Sequence, residues 1–270
     1  MTGLHPRVSV NAISSFGFSF EEDLELWASL GTTQVGLAQH KLEAAGWADA
    51  LARVTDAGLG VSCLVGTPVL ALDDPDSWPG VREVLIRSVE GAASVGVGCV
   101  FVNGAPGGLD AEVAGRIFPD ALGPVIQRAE TLGVALAFEH TNPLRRDLGF
   151  IHTLADGVAY AQESGIGIDV ELNNCWVERY LDDLFERGQP WFRLVQVSDF
   201  VVGTFDTPNR AVPGDGDIPL ARLIGRMLGA GYTGPFDLEL IGPRIEAEGY
   251  ASAVGRGARW LSDLLVDLGA

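Results

Sequence analysis

Leu132-Gly133-Val134-Ala135-Leu136-Ala137-Phe138-Glu139 reads as a helix end, a glycine, a strand with no polar face, and an acid at its tip. A strand exposed on one side alternates apolar with polar residues. This one is apolar throughout, as a parallel strand covered on both faces must be. Glycine just before it suits the left-handed turn that closes a helix. The same phrase recurs at Ala57-Gly58-Leu59-Gly60 and Ser164-Gly165.

Working outward, the pattern predicts strands at Arg7–Ile13, Thr33–Leu37, Gly60–Val65, Gly98–Asn103, Val134–Glu139, Ile166–Val170, Leu194–Ser198 and Phe236–Ile241. Helical patterns fill the gaps, the first opening on Ser19-Phe20-Glu21-Glu22, a capping box. Others are predicted for Trp47–Ala57, Pro79–Val95, Ala111–Leu132, Thr153–Ser164, Leu181–Arg187, Leu220–Ala230 and Ala247–Leu268. Eight β–α units in 270 residues predict an α/β fold, a single (β/α)₈ TIM barrel spanning residues 1–270. An open doubly wound sheet would carry a Gly-rich phosphate loop after its first strand, and Asn11-Ala12-Ile13-Ser14-Ser15-Phe16-Gly17 is not one.

Acids outnumber bases 36 to 18, for a formal charge of −18. Such a surface repels phosphate backbones and anionic lipid, so neither nucleic acid nor membrane is expected as a partner. Cys63, Cys99 and Cys175 are widely spaced and read as buried thiols in a reducing compartment. The first residues hold no apolar run resembling a signal peptide, so a cytoplasmic location is expected.

In a barrel of this kind chemistry sits where strands end. Glu139, Asp169, Gln196 and Glu239 fall at the ends of four consecutive predicted strands, with Asp237 sharing the face of Glu239. Three converging carboxylates need a counter-charge, and an all-oxygen set suits Mg²⁺ or Mn²⁺ better than Zn²⁺.

The second half resembles the sugar phosphate isomerase/epimerase family of xylose-isomerase-like barrels. The likeness rests on Ala137-Phe138-Glu139-His140-Thr141-Asn142-Pro143, Gly167-Ile168-Asp169-Val170 and Val195-Gln196-Val197-Ser198-Asp199. It continues in Arg210-Ala211-Val212-Pro213-Gly214-Asp215-Gly216-Asp217-Ile218 and Gly231-Tyr232-Thr233-Gly234-Pro235-Phe236-Asp237-Leu238-Glu239. The resemblance implies metal ligation by Glu139, Asp169, Gln196 and Glu239, with Glu139 and Glu239 as the proton-transfer pair. It implies a divalent-metal-dependent isomerase or epimerase acting on an α-hydroxycarbonyl substrate, sugar-like or a cyclic ketone, through an enediolate. A homo-oligomer is expected from the same likeness. Two positions depart: Gln196 stands where many members have His, and Leu172 where a substrate-holding His is usual. Leu172 speaks against an ordinary polyhydroxylated sugar.

Asn11, Asn103, Asn142, Asn173 and Arg210 are the candidates for binding substrate hydroxyl or carboxylate groups around the metal. His140 has two readings, holding a substrate oxygen or pointing outward to bond backbone. His40 is a second substrate candidate, whereas Lys41, the sole lysine, reads as a solvated loop residue. Trp176, with Phe16, Phe18, Trp47, Trp78, Phe200 and Phe205, predicts either cover for the barrel top or a pocket for an apolar substrate. A metal-dependent lyase or dehydratase on a cyclic or aromatic-linked substrate, and a metal-free binding barrel, are the alternatives. The charge and the missing histidine ligands disfavour a metal nuclease.

Overall fold

The computed structural model describes residues 3–66 and 68–270. Eight parallel strands close a barrel: β1 (Val8–Asn11), β2 (Gln34–Ala38), β3 (Gly60–Val65), β4 (Cys99–Phe101), β5 (Leu136–Glu139), β6 (Gly167–Glu171), β7 (Phe192–Val197) and β8 (Phe236–Leu238). Each pairs with its sequence neighbours, and β8 closes on β1. Around them run α1 (Phe20–Leu30), α2 (Gln39–Ala45), α3 (Trp47–Asp56), α4 (Trp78–Val95), α5 (Ala111–Leu132) and α6 (Leu154–Ser164). The second half adds α7 (Leu172–Cys175), α8 (Leu181–Gly188), α9 (Leu220–Gly229), α10 (Pro243–Glu248) and α11 (Tyr250–Asp267). Among the described residues no helix is long and apolar enough to cross a membrane.

The capping box holds: Ser19 Oγ accepts the Glu22 N–H, and Glu22 Oε2 accepts the Ser19 N–H at 2.7 Å. Two predicted elements end differently. Strand one stops at Asn11 because its Oδ1 takes the Ile13 N–H at 2.9 Å and turns the chain into a 3₁₀ turn over Ala12–Ser15. The last predicted helix is two, α10 and α11, broken at Gly249, where φ is 92°. All three cysteines are free and buried.

The loop following β7 is organised by one carboxylate. Asp199 is buried and accepts four backbone N–H groups, from Phe200 and Ile218 on Oδ1 and from Gly214 and Gly216 on Oδ2, at 2.8–3.0 Å. A Cβ on Gly216 would stand 2.3 Å from Asp199 Oδ1, and Gly214 has φ 94°, which explains both glycines of Pro213-Gly214-Asp215-Gly216. The knot ties down the two ends of a long loop whose middle carries Arg210, and the Arg210 N–H bonds Ile241 O at 2.9 Å. That places the guanidinium at the barrel mouth.

Candidate active site

Strand register sets the site. Glu139 pairs with Asp169, Glu171 with Gln196, and Gln196 with Asp237, so these side chains share the inner face of adjacent strands. Glu239 follows β8 directly and joins them at the mouth, its N–H on Val197 O. Glu139 and Glu239 both line a cavity of about 190 Å³ beneath the loops after β5, β6 and β7.

The carboxylates are served unequally. Deep in the barrel, Asp237 accepts from Ser9 Oγ at 2.5 Å, Asn11 Nδ2 at 2.6 Å and Ser62 Oγ at 3.4 Å. Burial raises its pKa to about 6, and these donors hold it from going higher. Asp169 is just as buried, yet neither of its oxygens has a partner, and Gln196 likewise makes no hydrogen bond of normal geometry. The Gln196 amide does lie near enough to Asp237 to favour that group's ionised form. Burial, then the neighbouring acids, push Asp169 far above the carboxylate range. Burial and Glu171 raise Glu139 to about 7, against the pull of Arg210 and Arg145. Burial raises Glu239 to about 8, opposed by Arg210.

Arg210 is the buried cation of the group. Its Nη1 lies 2.6 Å from Glu171 Oε2 and donates to Ser198 Oγ at 2.8 Å, and its Nη2 lies 3.6 Å from Glu239 Oε2. Glu171 is fully buried, its other oxygen taking the Asn173 N–H at 2.8 Å. Asn174 donates through Nδ2 to Glu139 Oε1 at 3.1 Å and to His140 O at 2.9 Å, fixing the Glu139 carboxylate from the side. Sequence reasoning missed Glu171 and Asn174. The signal for Glu171 was present, since it shares strand parity with Asp169.

A divalent cation fits this chemistry. The donor set is all oxygen, negative charge is in excess, and Asp169 and Gln196 present buried acceptors that nothing in the chain satisfies. Among the described residues no three His, Cys, Asp or Glu side chains stand together as a preformed ligand cluster. A cation would therefore gather these side chains instead of finding them in place.

The proposed substrate contacts divide. Asn142, Asn173 and Arg210 line the cavity, with Phe200 and Phe205. Asn103 lies beneath it, its Oδ1 3.4 Å from the Glu139 N–H. Four other candidates do not line the cavity. Asn11 uses both ends of its amide inside the chain, on Ile13 and Asp237. His40 is exposed on α2, its ring tilted against Phe16 with centroids 5.2 Å apart, away from the cavity. Trp176 packs against the core beyond α7 and does not line the cavity. His140 packs beside Gly157 of α6, buried, with neither ring nitrogen hydrogen-bonded, so the backbone bond considered for it is not made. Burial pushes its pKa down to about 3, which keeps the ring neutral. Leu172 is wholly in the core, and contributes nothing to the cavity wall.

The raised carboxyls make stability depend on pH. Unfolded, Glu139 and Glu239 would titrate near 4.5; folded, they hold protons to about 7 and 8. Their contribution is complete below the unfolded value and is lost as pH rises through 7 to 8. Metal-stripped protein should lose on the order of 3 kcal/mol between pH 6 and 8.5 through these two groups. Urea melts at both pH values test this. Glu139→Gln/Glu239→Gln should flatten the dependence, and an equally steep loss in that variant would refute the assignment.

Comparison with known proteins agrees with the fold. The family model described as xylose isomerase-like TIM barrel matches residues 11–264. No curated protein matches the chain. Among solved structures, protein SMc04130 from Sinorhizobium meliloti 1021 is 21% identical, with a TM-score of 0.85 over 94% of this chain and 97% of its own. The IOLI protein, solved with a binding zinc atom, is 15% identical, with a TM-score of 0.81 over 97% and 99%. A D-psicose 3-epimerase solved in the presence of D-fructose is 17% identical, with a TM-score of 0.76 over 98% and 100%.

Proposed function

The chain belongs to the xylose isomerase-like TIM barrel family, and from that premise we propose that it is a divalent-metal-dependent isomerase or epimerase of α-hydroxycarbonyl compounds. One observation carries the reading. Glu139, on the strand beside the unpartnered Asp169, and Glu239, just after β8, both reach the cavity with pKa values of about 7 and 8. Carboxyls tuned to that range exchange protons readily near neutral pH. The epimerase among the structural neighbours supports the reaction class at the level of the family.

Glu139, Asp169, Gln196 and Glu239 would hold the cation, and their oxygen donors suit Mn²⁺ or Mg²⁺. When bound, it supplies a Lewis acid for a carbonyl and its adjacent hydroxyl, making the C–H between them acidic. Glu139, held by Asn174, and Glu239, beside Arg210, would remove and return that proton. Return to the opposite face of the same carbon is epimerisation; return to the neighbouring carbon is isomerisation. Asn142 and Asn173 stand on the cavity wall where substrate hydroxyls would lie.

Metal content after reloading with Mn²⁺ tests the premise. About one equivalent is expected in the native chain, and its loss in Glu139→Ala/Glu239→Ala, since removing two anionic ligands strips most of the affinity. Absence of metal from the reloaded native chain would end this reading.

A further inference from the structure

The cavity's charges are already spoken for. Two cations line it among the described residues, Arg145 and Arg210. Arg145 gives Nε and Nη2 to the two oxygens of Asp147, at 3.0 and 2.9 Å. Arg210 is held on Glu171 and faces Glu239 as well. Against them the wall carries Glu139, Glu239 and Asp206, with Asp169 beneath. A divalent ion on Glu139, Asp169 and Glu239 would still leave one negative charge in excess. No guanidinium is left over for a substrate phosphate or carboxylate.

The rest of the wall is of a different kind. Ile13, Leu148, Phe200 and Ile241 line it, and Leu144 and Phe205 stand on the loops after β5 and β7, 69% and 91% exposed. Large apolar side chains left in water at the mouth of a cavity favour a ligand that covers them. Polar capacity remains, but it is neutral: Asn209 also lines the wall, with a buried Oδ1 that has no partner. That atom accepts from a hydroxyl and repels an anion.

Resting on the function proposed above, we propose that the site selects an uncharged α-hydroxycarbonyl compound bearing an apolar group, and that Glu171 sets this charge selection by neutralising Arg210. In a chain without Glu171, Arg210 would keep only the more distant Glu239, at 3.6 Å, and could receive an anionic group. Glu171 acts through Arg210 and is a positioning residue, not a catalytic one.

The test is deuterium wash-in at the α-carbon, followed by proton NMR on Mn²⁺-reloaded protein against an EDTA-treated control. The probes are 2-hydroxyacetophenone, hydroxyacetone and dihydroxyacetone phosphate. Expected kcat/KM falls in that order, with the phosphate at least ~10-fold below hydroxyacetone. Glu171→Gln should narrow the gap between hydroxyacetone and the phosphate about 10-fold, mainly through KM for the phosphate. Phe205→Ala, an exposed change, should shrink the advantage of the aryl probe. A phosphate probe as good as the neutral ones in the native chain overturns the proposal. An unchanged gap in folded Glu171→Gln overturns the part assigned to Glu171. Exchange with none of the three probes overturns instead the parent reading of an α-hydroxycarbonyl enzyme.

Discussion

Glu239→Gln should exchange the α-protons of hydroxyacetone roughly 10²–10⁴-fold more slowly than the native chain when both are loaded with Mn²⁺. The substitution keeps the size and one acceptor oxygen of the side chain but removes its capacity to take up a proton. Glu139→Gln should fall by a similar factor, because Asn174 continues to hold the amide oxygen while the base is gone. The double variant gives up two anionic ligands as well as both bases, so it should lose most of its Mn²⁺ along with its exchange. Ligation and proton transfer are separated by measuring Mn²⁺ binding on the same samples. A variant that still binds Mn²⁺ at saturation yet exchanges slowly has lost the base. If Glu239→Gln exchanges at the native rate with metal bound, the assignment of Glu239 to proton transfer is wrong.

The pH profile of the native chain carries a second check on the same pair. Glu139 at about 7 and Glu239 at about 8 are raised chiefly by burial, and a bound cation would favour their ionised forms. Apparent Mn²⁺ affinity should therefore rise as pH goes from 6 to 8.5, while the protons these carboxyls hold in the metal-free chain are released.

Much of this site could be read before any fold was known, and the reasons are physical. An all-apolar strand ending in an acid points that acid to the mouth of a parallel barrel, so Glu139 and Asp169 stood out, and period-two parity put Glu239 above Asp237. Glu171 shares strand parity with Asp169 and could have been read from it, but nothing in the spacing says that Arg210 comes back to meet it. That meeting depends on Asp199 tying down a long loop, and backbone N–H groups leave no trace in sequence. Short helices directly after strands confuse the reading further. After β6 the chain coils immediately into α7, so Asn174 reaches Glu139 and Trp176 is carried off against the core. After β2 it coils into α2, which leaves His40 outside and turns Lys41 inward.

Lys41 was read from sequence as a solvated loop residue, and the structure buries it. Replacing it with methionine should therefore cost about 3–5 kcal/mol of stability, where an exposed lysine would cost almost nothing. Its ammonium has three donors and three partners: Ala12 O at 2.9 Å, Ser15 O at 2.8 Å and Asp23 Oδ2 at 2.7 Å. Asp23 is fully buried too, its other oxygen taking Ser15 Oγ at 2.6 Å. Burial raises Asp23 to about 6 and lowers Lys41, each restrained by the other. Methionine fills the space of the lysine stem but abandons a buried carboxylate and two carbonyls. Asp23→Leu in the same background removes the stranded charge, and the double variant should recover a large part of the loss. The two carbonyls remain unpaired, so recovery should be incomplete. The pair pins the turn Ala12–Ser15 against α1 and α2, and Ile13 of that turn lines the cavity. A loosened turn should thus raise KM for the neutral probes more than it lowers kcat. Denaturant melts of the two variants, beside their exchange kinetics, decide the matter. A Lys41→Met protein within about 0.5 kcal/mol of native would show that the ion pair does not hold this corner of the barrel.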